Sequence, residues 1–178
     1  MLDISDYLTT FRNGLAALSL GEQKLIFDGL PAAYQAALWQ DRLREGIEAV
    51  YDKGQKATLS DLAERLRPES YSDPKKNKAA VAYIDKLAPR LEKLFPDFTL
   101  LQKYTQYLGD GACKSPVIMQ AGGALPACEC RSADSGLLRG NPCGALIQCR
   151  AGGCTPVRGC GFFWLQICDG LCTGQFGP

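Results

Sequence analysis

Eight of the nine cysteines fall between Cys128 and Cys172, and the 112 residues ahead of Cys113 contain none. This distribution divides the chain into two parts that must fold by different means. About 110 residues can bury a modest hydrophobic core, whereas about 50 residues bury too little surface to hold together without cross-links or metal. The first part must therefore rely on packing and the second on its thiols. The expected organisation is an all-α domain of five or six helices over residues 1–110 and a Gly/Ala/Pro linker over residues 111–127. A small disulfide-rich module of irregular and short-β structure follows over residues 128–178.

The helical reading rests on punctuation. Ser5 is placed to cap a helix reaching Leu18, and Ser19-Leu-Gly-Glu22 has the form of a capping box opening a short helix with Leu25 and Ile26. Pro31 suits the first turn of a helix over residues 31–52, in which Trp39, Leu43, Ile47 and Val50 form an apolar stripe. Thr58-Leu-Ser-Asp61 reads as a second capping box, and Ser72-Asp73-Pro74 as another start. Pro89 is expected to kink or break that helix, and Pro96-Asp97 opens a last one ending near Leu108. In the C-terminal part, Ala145-Leu-Ile147 and Phe162-Phe-Trp-Leu165 read as short strands.

Composition narrows the function. The chain has no histidine and a formal net charge of +1. Without histidine, Ser-His-Asp and Cys-His catalysis are excluded within this chain, and so is a zinc site mixing cysteine with histidine. There is no phosphate-cradling glycine loop and no carboxylate pair that asks for a hydrolase. No enzyme activity and no cofactor are therefore expected. Near-neutral charge gives no reason to expect a nucleic-acid partner. The first residues have no basic start and no apolar run, so they do not read as a secretory signal.

The cysteines Cys128, Cys130, Cys143, Cys149, Cys154, Cys160, Cys168 and Cys172 are separated by one, twelve, five, four, five, seven and three residues. Zinc modules use paired Cys-x-x-Cys knuckles, and this chain has none. Four disulfides are the favoured reading, with an all-thiolate zinc or iron–sulfur site as the alternative. Eight cysteines allow 105 pairings, so connectivity stays open. Cys113 is left over as a linker thiol. Gly122-Gly123 and Ala127 are candidate processing points. Phe162, Phe163, Arg150 and Arg158 are candidate contacts with a target, and Trp164 is expected in the core.

The ordered set Cys128-Glu-Cys130-Arg-Ser, Cys143-Gly-Ala-Leu-Ile-Gln-Cys149, Gly153-Cys154-Thr-Pro156, Gly159-Cys160-Gly161, Trp164, Cys168-Asp-Gly170 and Cys172 resembles the bacteriocin fulvocin C-related family, over about 45 of the 178 residues. The resemblance implies a bacteriocin-like precursor. Its C-terminal disulfide-stapled peptide would be the antibacterial effector, and its helical part a leader, inhibitor or export handle. The implied partners are a bacterial envelope target or membrane surface and a processing protease or exporter. The implied location is secreted or periplasmic after export. Two alternatives remain open: a secreted, non-enzymatic two-domain binding or structural protein, and an all-cysteine metal protein.

Overall fold

The computed structural model describes residues 4–110, 125–132 and 147–175. Helices fill the first part: α1 (Ile4–Ala16), α2 (Leu20–Gly29), α3 (Ala32–Ala49), α4 (Lys53–Arg65), α5 (Glu69–Ser72), α6 (Pro74–Leu94) and α7 (Phe98–Thr105). Four short strands follow: β1 (Ile147–Ala151), β2 (Val157–Cys160), β3 (Gln166–Cys168) and β4 (Gly170–Gln175). The fold class is thus a helical region followed by a disulfide-rich, short-β region.

The chain divides into two compact units, and the division does not follow sequence order. One unit comprises Met1–Ala17 and Leu30–Asp110; the other comprises Leu18–Gly29 and Gly111–Pro178. Helix α2 therefore belongs with the cysteine-rich region, whereas the sequence reading placed residues 18–29 in the helical domain.

Side-chain caps set three helix starts in the helical unit, those of α4, α6 and α7. Asp73 accepts from the backbone N–H groups of Lys75 and Lys76, with Pro74 as the first helical residue. Asp97 accepts from Thr99 N–H. Asp52 accepts from Gln55 N–H at 2.8 Å and starts α4 six residues before Thr58. The expected capping box at Thr58 is therefore interior: its hydroxyl instead donates to the Gly54 carbonyl at 2.8 Å. Pro89 does not end its helix, and α6 runs 21 residues through it. Buried Ile84 and Leu91 lie on either side of Pro89 and are held by packing despite the lost hydrogen bond.

Two buried arginines join α1, α3 and the segment after α7. Arg12 pairs with Asp41 at 2.9 Å and Glu45 at 2.7 Å, and donates to the Leu108 carbonyl. Arg42 pairs with Glu45 and with Asp110, each at 2.7 Å. Its Nε donates to the carbonyls of Lys103 and Tyr107, and its guanidinium lies 5.0 Å from the Tyr104 ring centre. Around this network Leu15, Leu38, Trp39, Leu43, Leu59, Leu62, Leu101 and Leu108 are buried. A guanidinium satisfies several carbonyls and carboxylates at once because its donors are fixed in a plane.

Removing Arg42 would leave Glu45, Asp110 and two carbonyls without their shared donor. Arg42→Met should cost the helical unit about 3–5 kcal/mol, read as a lower urea midpoint. The Arg42 hydrogen bond also holds the Asp110 carboxyl below its ordinary value. A depressed carboxyl stabilises the fold fully above its unfolded pKa of about 3.9, and that contribution is lost as pH falls through the lower folded value. Thermal melts between pH 2 and 6 should therefore show a shallower acid limb in Asp110→Asn than in the wild type.

Candidate functional site

The cysteine-rich unit is built around three cross-links among its described residues: Cys128–Cys154, Cys130–Cys149 and Cys160–Cys168. Cys172 is disulfide-bonded as well. Cys113, Cys143, Gly122 and Gly123 lie outside the described residues. No group of three or more metal-ligating side chains occurs among the described residues. Closing loops of these lengths stabilises by about 3 kcal/mol each, mainly by restricting the unfolded chain.

Two antiparallel ribbons carry the bridges. β1 pairs with β4, setting Cys149 opposite Cys172, and β2 pairs with β3. The segment 125–132 is threaded between them. Thr155 N–H donates to the Pro126 carbonyl and Cys128 N–H to the Thr155 carbonyl, while Cys130 is bridged to Gly170. Arg131 donates to Gln166 at 2.6 Å, and Ser132 takes both oxygens of Asp169. The backbone around Ala127 is thus paired, and a protease would have to open these bonds to cut there.

The aromatic run is a turn and not the strand expected from its composition. Phe162–Trp164 form a single 3-10 turn between β2 and β3, with Phe163 and Trp164 at φ of 54° and 51°. Left-handed backbone at bulky residues is costly, so packing must hold it. Phe163 and Trp164 are both fully buried and Phe162 is half-buried. Phe163 is therefore a core residue and unavailable as a target contact, because the turn aims its ring inward. Arg150 is exposed. Arg158 is half-buried, donating to the Leu165 carbonyl at 3.2 Å and facing Asp28 at 3.9 Å.

Helix α2 seals this turn. Its start is the capping box read from sequence: Ser19 N–H and hydroxyl both donate to Glu22, and Glu22 N–H donates back. These bonds hold the Glu22 carboxyl below its usual range. The buried stripe is Leu20, Gln23, Lys24 and Phe27, at helical spacing. Phe27 meets Trp164 edge-on, with ring centres 5.1 Å apart. Lys24 is 1 % exposed; its ammonium donates to the Glu129 carbonyl and lies 3.6 Å from the Cys160 sulfur. Its stem fills the space beside Gly159, where a Cβ would collide with it and where φ is +149°. Glu129 touches the same helix twice, since its side chain lies beside Gly21 in the first turn. There the positive end of the helix dipole offsets a carboxylate oxygen that has no hydrogen-bond partner among the described residues.

No protein-family model matches this chain, and no curated protein or solved structure matches it. The site therefore has to be understood from its own residues. Reading the sequence alone found the cysteines and the core position of Trp164 but missed Lys24, Phe27 and Glu129. The capping box at Ser19 was a signal for α2, yet nothing local marked a lysine as its innermost residue.

Disulfides form and persist in oxidising compartments, so the bridges are consistent with an extracellular or periplasmic protein. No helix among the described residues is long and apolar enough to cross a membrane. Mass mapping of the non-reduced, digested protein should recover Cys128–Cys154, Cys130–Cys149 and Cys160–Cys168 as linked peptides. Recovery of Cys128 with Cys130 would contradict the arrangement.

Proposed function

We propose that the chain is the precursor of a bacteriocin-like antibacterial peptide. On this reading the cysteine-rich unit is the effector, and the N-terminal part holds it inactive until export or processing. The observation that carries the reading is the disulfide-stapled unit sealed by a helix from the N-terminal part. Such a unit keeps its shape outside the cell, and a non-covalent cover gives the N-terminal part a task beyond carriage. The resemblance of residues 128–172 to the fulvocin C-related family adds support. Action is by binding, with no chemical step: the unit offers Arg150, Arg158 and the half-buried Phe162 to an envelope or membrane surface.

A second reading has one observation in its favour. Because α2 is part of the cysteine-rich unit, the chain can work uncut, as a secreted, non-enzymatic binding protein of two units.

Growth inhibition separates the two. The oxidised C-terminal fragment, cut within residues 111–124 and separated from the N-terminal part, should inhibit bacteria drawn from a panel of Gram-positive and Gram-negative species, and reduction with alkylation should abolish the effect. Inhibition by neither the separated fragment nor the uncut protein on any strain would reject the antibacterial reading and leave the binding protein.

A further inference from the structure

Helix α2 is the anomalous piece of the cysteine-rich unit. It precedes the rest of that unit by more than 80 residues and contains no cysteine, so every contact holding it is non-covalent. Its apolar residues are also divided between two faces. Leu25 and Ile26 point outward, 56 % and 40 % exposed, while Lys24 and Gln23 are buried. Burying an ammonium requires stripping its water, a cost that burial of an apolar side chain does not carry. Such a contact is specific in orientation but moderate in strength. The apolar share comes mainly from Leu20 and Phe27.

What α2 covers is the part of the unit richest in groups that could bind a partner. Beneath it lie Trp164 in its left-handed turn, the β2 backbone at Gly159 and Cys160, and the Glu129 carbonyl. At the helix end Asp28 faces Arg158 and offsets its charge. Lifting the helix would expose an aromatic ring, an arginine and an open carbonyl together on one surface. Left-handed backbone at bulky residues concentrates at binding sites, where the surroundings must hold it.

We propose that α2 is an intramolecular inhibitor: it occupies the contact face of the effector and retains it after cleavage. This rests on reading the cysteine-rich unit as the effector. One cut between residues 110 and 125 then leaves two fragments associated through α2, and activity appears only when that helix leaves. The occupied surface is a helix-binding face that selects a lysine and, three residues later, a phenylalanine.

The test uses the full chain with a specific protease site placed in residues 111–124, oxidised and cut to completion. The wild-type fragments should co-elute on non-reducing size exclusion. Phe27→Ala should weaken their association at least about 100-fold, the ordinary consequence of emptying a buried aromatic site. Lys24→Glu, which sets a carboxylate against the Glu129 carbonyl, should weaken it comparably. Exchanging the outward Leu25 and Ile26 for serine should leave the fragments together. Intact mass establishes that the disulfides have formed in each variant. Separation of the wild-type fragments on cutting, or undiminished association in both Phe27→Ala and Lys24→Glu, overturns the proposal. In growth inhibition the separated C-terminal fragment should be at least tenfold more potent than the nicked complex, and equal potency overturns the masking. If chromatography behaves as stated and neither form inhibits any strain, helix retention stands and the effector reading fails.

Discussion

A lysine ammonium buried against a backbone carbonyl sets the terms for the cysteine-rich unit. Lys24 reaches Glu129, 105 residues away in sequence, and its stem passes over Gly159. A side chain at position 159 would occupy the path of that stem. Two residues on, Gly161 adopts φ +70° beside the Gln166 side chain and feeds the aromatic turn. The Gly-Cys-Gly step thus has a separate physical reason at each glycine. The first admits a helix from elsewhere in the chain, and the second bends β2 towards β3. Cys160 between them is tied to Cys168 across the resulting loop, which fixes the strand that the lysine rests on.

Covalent and non-covalent forces divide the work in this unit. The disulfides act chiefly on the unfolded chain, reducing the freedom it would otherwise regain. They do not orient the rings of Phe163 and Trp164, which are buried on a backbone that bulky residues avoid. That orientation depends on packing, and Phe27 supplies the edge-on contact with Trp164. The helical unit solves a different problem with buried charge, using Arg12 and Arg42 to donate to carbonyls at and after the end of α7.

Local signals in the sequence were read well where a cap decides the structure. Ser19 with Glu22, Asp73 with Pro74, and Asp97 all start helices as their side-chain chemistry requires. The misreadings arose where tertiary packing or a competing cap prevailed. Asp52 captured the start of α4 ahead of Thr58, Pro89 was absorbed within α6, and the aromatic run Phe162–Trp164 became a turn because the glycine before it adopts a left-handed backbone. Cysteine crowding announced the cross-linked unit, but its pairing required the fold. The membership of α2 was invisible, because nothing in its own residues marks Lys24 as an inward position. Only a lysine acceptor a hundred residues away, at Glu129, makes that face the inner one. The buried arginines were equally hidden, since a sequence does not show which distant carbonyls and carboxylates a guanidinium will meet.

The position of α2 in the chain constrains how the cysteine-rich unit can be completed. Leu18–Gly29 is made before any of the cysteines, whereas β4 and its Cys172 come at the end. The aromatic turn cannot acquire its final packing until both are present. Loop closure over such a span costs only slowly more with length, so the distance itself is no barrier. What the separation does impose is an order: the helix must remain attached, or remain nearby, while the strands around Cys160 are drawn together. An isolated segment beginning at residue 125 would lack the Lys24 donor for the Glu129 carbonyl and the Phe27 edge for Trp164. It could still close its bridges, but those contacts would be missing while the turn forms; in a unit oxidised with α2 in place, the Cys160–Cys168 bridge closes across the turn already made. The N-terminal part thereby contributes structure to the C-terminal one, which sets it apart from a leader that serves only as an address.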